Sequence, residues 1–290
     1  MGIRGFYKPG TAEEAARAFA AADGNAFYLN GGTDVLVAAR EKDTFDGRLA
    51  IDISDLQELK QLCEGENSIF VGAGCTHSTV AASALIKRYA SVLAAACAEV
   101  GSPQIRNRGT IGGNIANASP AADTLAPLAL LNARLTLRSA EGMRELALQQ
   151  VVTGPYQTAL VPGELITKIQ IDKLPPGERQ CFIKLGRRKA LAISRLTVCV
   201  AGAKAENGCI SDLRIALGSA FPQPLVFPEL NAQAIGQKPT AQLLALIAEA
   251  TAAKLPEIAG VRSSTRYKQP VSRLLLARAL GEVFEVSIDE

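Results

Sequence analysis

Pro103-Gln-Ile-Arg-Asn-Arg-Gly-Thr-Ile-Gly-Gly-Asn-Ile-Ala-Asn-Ala-Ser-Pro-Ala-Ala-Asp123 gathers arginines, adjacent glycines, asparagines, hydroxyls and a terminal aspartate into one short span. Glycine lets backbone amides come close to an anion, and the small polar side chains beside it supply further donors. This density of Gly112-Gly113 followed by Asn114, Asn117, Ser119 and Asp123 exceeds what a plain connecting loop requires. The stretch reads as one wall of a diphosphate site. Asp123 has a second reading as the N-cap of a following helix through Leu131, and the sequence leaves both open.

A second glycine loop, Asn30-Gly31-Gly32-Thr33-Asp34, follows the apolar run Ala26–Leu29. Alone it reads as an ordinary turn between two ordered elements. Taken with the first, it suggests a large phosphate-bearing ligand held from two sides. Upstream, Thr11-Ala-Glu-Glu14 has capping-box spacing and opens an alanine-rich helix ending before Gly24. Short β-like runs follow at Leu49–Ile53 and Ile69–Gly72. A small helix starts near Ser78, and Ser83–Val100 carries the apolar spacing of one continuous helix.

Downstream, Ala133–Arg138 and Glu145–Leu148 bracket a turn and predict a hairpin, and Glu164–Ile171 alternates as a strand. The break at Leu174-Pro-Pro-Gly177 marks a domain boundary. Strands then fall at Cys181–Leu185, Thr197–Ala205 and Cys209–Leu217, the last two joined by Asn207-Gly208. Helices Thr240–Lys254 and Val271–Phe284 finish an α+β layout.

Composition narrows the function. A 290-residue chain that is 48% hydrophobic and 20% charged suits a soluble protein of two or three compact units. A net charge of +3 with scattered basic residues gives no nucleic-acid surface. No apolar run reaches the roughly 20 residues needed to span a bilayer, and the N-terminus lacks a signal peptide, so a cytoplasmic location is expected. The six cysteines form no Cys-x-x-Cys pair and read as buried thiols in a reducing compartment. His77 is the only histidine and reads as a local structural or surface residue, without triad or metal partners. Gly72-Ala-Gly74 lacks the third glycine of a Rossmann turn, His77 standing in its place, and no Walker loop is present. The basic run Lys184–Lys189 reads as a solvated loop, although apolar Ala190–Ile193 behind it suggests folding back onto the body, with Lys184 able to reach an anion.

The two glycine loops, together with Gln104-Ile-Arg-Asn107 before the second and Ser119-Pro-x-x-Asp123 after it, resemble the FAD-binding subunit of molybdenum hydroxylases. That family includes the medium subunits of xanthine, carbon monoxide and nicotinate dehydrogenases. Lys184-x-x-Arg187-Arg188 with Ala192-Ile193-Ser194 resembles its third segment, and Arg262-Ser263 with Tyr267-Lys268 its C-terminal domain. The likeness runs the length of the chain in order. It implies a vanillyl-alcohol-oxidase-like (PCMH-type) FAD-binding domain of two α+β subdomains over 1–175, with an inner boundary near 55–60. A C-terminal domain of three strands packed on helices would cover 176–290.

The resemblance places FAD between the subdomains. Leu29, Asn30, Gly31, Gly32, Thr33 and Asp34 would form one side of the pyrophosphate cradle, and Gly109, Thr110, Ile111, Gly112, Gly113 and Asn114 the other. Asn117 and Asp123 would contact the cofactor's polar chain, Ile166 would pack on it, and Lys184 would approach it. No residue is nominated as catalytic and none as a metal ligand. Partner subunits would carry molybdopterin and two two-iron clusters, with NAD+ as a possible acceptor. Relatives of the benzoyl-CoA reductase type insert four cysteines where Ala133–Leu148 here is a short hairpin, so no cluster is expected in this chain. Two rival readings stand beside this one: a self-contained FAD oxidase, and a non-catalytic nucleotide-binding scaffold.

Overall fold

The computed structural model describes residues 2–41, 43–175, 177–188 and 191–288. It opens with β1 (Gly5–Tyr7), α1 (Ala12–Ala21), β2 (Ala26–Leu29), α2 (Val35–Glu41) and β3 (Leu49–Asp52). The three strands form a parallel sheet in the order β1-β3-β2. Helix α1 covers it with Ala12, Ala15, Ala16 and Phe19. Only half of the expected capping box forms. The Thr11 hydroxyl accepts from the Glu14 amide, but the Glu14 carboxylate turns to the Gly10 amide and the Tyr7 hydroxyl. The Asn30–Asp34 loop leaves the carboxyl end of β2, the edge at which parallel sheets of α/β type take their ligands.

The second unit begins with β4 (Leu62–Glu64) and β5 (Ser68–Gly72), followed by six helices: α3 (His77–Ala82), α4 (Ala84–Tyr89), α5 (Ser91–Ala98), α6 (Pro103–Arg108), α7 (Ile111–Asn117) and α8 (Leu125–Leu130). It closes with the hairpin β6 (Arg134–Arg138) and β7 (Met143–Ala147), short α9 (Leu148–Val151), the ribbon β8 (Val152–Gly154) and β9 (Gln157–Thr158), and β10 (Leu165–Asp172). The main sheet runs β4-β5-β10-β6-β7 and is antiparallel throughout. The single helix expected over Ser83–Val100 is two helices. Ala90, at φ −143°, separates them, and the Gln180 side chain fills the gap by accepting from the Val92 amide at 3.1 Å and donating to the Tyr89 carbonyl at 3.3 Å. That partner lies 88 residues downstream of Val92, where local periodicity cannot register it.

The last unit contains β11 (Arg179–Leu185), β12 (Leu196–Lys204), β13 (Ile210–Gly218) and β14 (Leu225–Val226), then α10 (Pro228–Ala232), α11 (Ala241–Ala259) and α12 (Ser263–Phe284). Its sheet has four antiparallel strands, one more than expected, because the short β14 adds to the β13 edge. Both long helices run through a proline, Pro256 and Pro270, past the boundaries expected at Lys254 and Val271. Buried Leu255, Ala259 and Thr265 lie in these extra turns, so tertiary packing offsets the local cost of proline. One sheet face meets α11 and α12 through Val198, Val200, Ile215 and Phe284. Cys199, Ala201 and Ala216 join the core of the preceding unit. Among the described residues no helix is long and apolar enough to cross a membrane.

The junction at Leu174-Pro-Pro-Gly177 contains Pro176, which lies outside the described residues. Around it, Arg214 on β13 reaches Asp172 of β10 at 2.7 Å and Asp212 at 3.1 Å. A third carboxylate, Glu178, has both oxygens buried without a hydrogen-bond partner among the described residues. Burial, and after it the charge of Asp212, push the Glu178 carboxyl up to about 7. The folded chain therefore holds a proton that the unfolded chain has released, and stability is lost as pH rises from the ordinary carboxylate range to about 7. Glu178→Gln should raise stability at pH 8 by about 1 kcal/mol and change little at pH 4, read from denaturant midpoints at the two pH values.

Candidate functional site

The two glycine motifs meet in space. A Cβ built on Gly31 would fall 2.2 Å from the Arg108 carbonyl oxygen and 3.1 Å from the Gly109 Cα. Glycine here serves close approach of two backbones rather than an unusual dihedral angle. Asn117 Nδ2 donates to Asp34 Oδ1 at 2.9 Å and closes the seam from the other end. Gly32 is different, since its φ of +74° is the left-handed conformation that glycine adopts without strain. Among the described residues, no carbonyl or side chain accepts from the amides of Gly31, Gly32, Thr33 or Asp34. Four successive unsatisfied donors beside a sheet edge form a concavity suited to an anion.

The second motif corrects an expectation. It is not a loop but two short helices joined at Gly109-Thr110, and Gly112-Gly113 occupy the first turn of α7. The Thr110 hydroxyl caps that helix through the Gly113 amide at 3.1 Å. The amides of Ile111, Gly112 and Asn114 go to the carbonyls of Cys75, Ala73 and Thr110. Gly112 is required by packing, because a Cβ there would lie 2.6 Å from that of Ala73. The donors therefore lie on the first loop, and the second motif braces it. Gly113 is exposed.

Ala73–Cys75 is the floor on which both motifs rest, and the sequence reading missed it. Gly74 lies against Asn30, whose Nδ2 would be 3.2 Å from an added Cβ. The signal was the Gly72-Ala-Gly74 spacing, dismissed as an incomplete Rossmann turn. His77 follows directly. It is neither exposed nor peripheral: only 2% of its surface is accessible, its amide donates to the Gly109 carbonyl at 3.0 Å, and burial, with help from the Arg106 charge, lowers its imidazole to about 4.

Asp123 and Lys184, expected as separate ligand contacts, are brought to each other. Lys184 Nζ lies 2.7 Å from Asp123 Oδ2 and donates to the Glu99 carbonyl at 2.8 Å. The two side chains are 8% and 7% exposed. Asp123 does not cap α8, whose N-cap is Thr124 without a side-chain bond. Burial, more than Lys184 can offset, holds the Asp123 carboxyl above its ordinary range. Asn114 Oδ1 is taken by the Thr124 hydroxyl at 2.6 Å. Ile166 lies within the core of the second unit at 4% exposure, so packing there already accounts for it. Leu29 is half-buried at the end of β2.

Beside Lys184 opens a cleft of about 330 Å³, lined by Glu99, Gly186, Arg187, Arg188 and Leu191 among others. Lys189 and Ala190 of the basic run lie outside the described residues. The expected folding back of the basic run holds for Lys184, which is 8% exposed, but not for Arg187 and Arg188, which are exposed, and in the apolar segment behind them Leu191 is 53% and Ile193 81% exposed. Cys75, Cys97, Cys181 and Cys199 are buried thiols as expected, whereas Cys63 is exposed and Cys209 half-buried.

Comparison with known proteins accords with this geometry. The family described as the FAD binding domain in molybdopterin dehydrogenase matches residues 2–174, and the CO dehydrogenase flavoprotein C-terminal domain matches residues 182–283. The glyceraldehyde dehydrogenase medium chain of Sulfolobus acidocaldarius is 30% identical, covering 80% of this chain and 82% of its own. The xanthine dehydrogenase FAD-binding subunit of Escherichia coli O157:H7 is 28% identical over 88% of this chain and 87% of its own. The nicotinate dehydrogenase FAD-subunit of Eubacterium barkeri is 30% identical over 83% and 82%. A solved carbon monoxide dehydrogenase chain from Hydrogenophaga pseudoflava superimposes with a TM-score of 0.88, covering 98% of both chains at 24% identity. That last likeness concerns the fold, a PCMH-type FAD domain with its C-terminal companion.

Proposed function

The chain belongs to the family of FAD-binding domains of molybdopterin dehydrogenases, and from that premise we propose that it is the electron-transfer subunit of a molybdenum hydroxylase complex, receiving electrons from iron–sulfur clusters of a small partner subunit. A molybdopterin-binding large subunit would perform the substrate chemistry, and NAD+ or another acceptor would take the electrons away, in the cytoplasm. Support for the partners comes from the relatives, which bear the names of subunits and medium chains of dehydrogenases. The family matches end at 174 and resume at 182, which supports working units of 1–175 and 176–290, and the change of sheet between β3, ending at Asp52, and β4, starting at Leu62, supports an inner boundary near 55–60.

One observation carries the cofactor assignment: the unsatisfied amides of Gly31–Asp34, pinned against Arg108–Gly109 by a contact only glycine permits. These residues fit a dinucleotide diphosphate. FAD, when bound, supplies the redox chemistry by exchanging electrons one at a time or as a pair. The chain's own residues bind and orient. The Gly31–Asp34 amides would hold the diphosphate, Asn117 fixes Asp34, and Thr110 with Gly112 fixes the helix behind the cradle. The Lys184 ammonium is engaged by Asp123 and Glu99, so its work lies in holding the signature segment to β11. His77, the only histidine in the sequence, is sealed behind Gly109, which leaves the self-contained oxidase without a histidine base at the site.

The test is titration of the apoprotein with FAD, followed by flavin fluorescence. One FAD per chain should bind, ADP should compete, and AMP, which lacks the diphosphate, should compete at least about tenfold more weakly. Equal competition by AMP and ADP would remove the diphosphate assignment. Co-purification from native cells with a molybdopterin subunit and an iron–sulfur subunit tests the complex, and recovery of the chain alone as an active oxidase would overturn it.

A further inference from the structure

The ring of His77 approaches Gly109 through its Cδ2, which lies 3.3 Å from the point a Gly109 Cβ would occupy. That same point is 3.5 Å from Thr33 Oγ1. Nε2 is bonded to Cδ2, so this edge of the imidazole lies where the first loop meets the junction of α6 and α7. The other nitrogen, Nδ1, is sealed and has no hydrogen-bond partner among the described residues. A buried bare acceptor is tolerated more readily than a stranded N–H, which assigns the proton to Nε2. The neighbouring Ser78 hydroxyl bonds Asn107 Oδ1 at 2.5 Å and ties the start of α3 to α6. Behind its seam the cradle therefore has a neutral N–H donor that no hydrogen bond among the described residues uses.

Resting on the FAD assignment above, we propose that His77 is a positioning residue of the cofactor cradle, its neutral Nε2–H free in the apoprotein and engaging the seam between the Gly31–Asp34 loop and the Gly109–Thr110 junction when the dinucleotide binds. Neutrality matters because a cation here would face Arg106, whose charge already opposes protonation of the ring. A histidine of purely structural role makes the opposite forecast. Replacing a sealed, unpartnered ring by an apolar side chain of similar size is neutral or stabilising, and cofactor affinity would then stay where it was.

The experiment compares His77→Leu, His77→Gln and His77→Asn in the full chain, measuring the apoprotein melting midpoint and the FAD dissociation constant. His77→Leu should keep or raise the midpoint yet weaken FAD binding by about tenfold or more. His77→Gln, whose amide nitrogen falls near the Nε2 position, should bind within about threefold of the parent, and the shorter His77→Asn should behave like leucine. Parent-like affinity in His77→Leu overturns the proposal. Should that variant fail to fold, the Gln and Asn pair decides, equal affinities counting against it. A parent chain that binds no FAD sinks the functional reading and this inference with it, whereas a parent that binds alongside indifferent variants sinks only the inference.

Discussion

Gly31→Ala should weaken FAD binding by about a hundredfold and lower the apoprotein midpoint by several degrees. The added methyl meets only backbone: the Arg108 carbonyl oxygen at 2.2 Å, its carbon at 2.9 Å and the Gly109 Cα at 3.1 Å. None of these is the end of a flexible side chain, so relief requires that the first loop and the α6–α7 junction move apart. Such overpacking costs about 1–3 kcal/mol. Because it is relieved by opening the seam, most of the cost should appear in cofactor affinity. Gly24→Ala is the matched control. Its φ is +76° and its Cβ meets nothing within 4 Å, so it carries the conformational penalty of about 1 kcal/mol without touching the cradle. Affinity in that variant should match the parent. Equal losses in both would show that general destabilisation, not separation of the loops, weakens the site.

The same contact marks the limit of what the sequence discloses. The glycine motifs, their polar neighbours, the β6–β7 hairpin and the Asn207-Gly208 turn are local patterns, and each was legible. Which motif donates and which braces was not, because that depends on Ala73 and Cys75 taking the amides of Gly112 and Ile111 from across the fold. Gln180 breaking a helix between Tyr89 and Ser91 is another case, a side chain from a distant strand satisfying backbone groups that periodicity assigned to one another. Lys184 and Asp123 were both singled out, but as two hands on a ligand. Their contact spans 61 residues, and no spacing rule couples a strand lysine to an aspartate at a helix start.

That ion pair gives the second large effect. Lys184→Met should destabilise the chain by about 3 kcal/mol at pH 8, because it strands a buried carboxylate. Asp123 Oδ1 already lacks a partner among the described residues, and Oδ2 would lose the ammonium 2.7 Å away. The penalty depends on pH in a direction the structure fixes. Burial holds the Asp123 carboxyl above its ordinary range even with Lys184 present, and removal of the lysine raises it further. The folded variant then keeps its proton where the unfolded chain has lost one, so stability falls as pH rises from the ordinary carboxylate range upward. Denaturant midpoints of parent and variant should thus converge toward pH 4 and separate by pH 8. Asp123→Leu combined with Lys184→Met should recover most of the loss at pH 8 and flatten its pH dependence, since an apolar pair of similar volume replaces a buried ion pair at little cost. A double variant as unstable as Lys184→Met alone would show that the lysine acts through the Glu99 carbonyl instead. Recovery of stability together with FAD affinity would place Lys184 among the residues that hold the signature segment in position. Recovery of stability without affinity would return its charge to the cofactor.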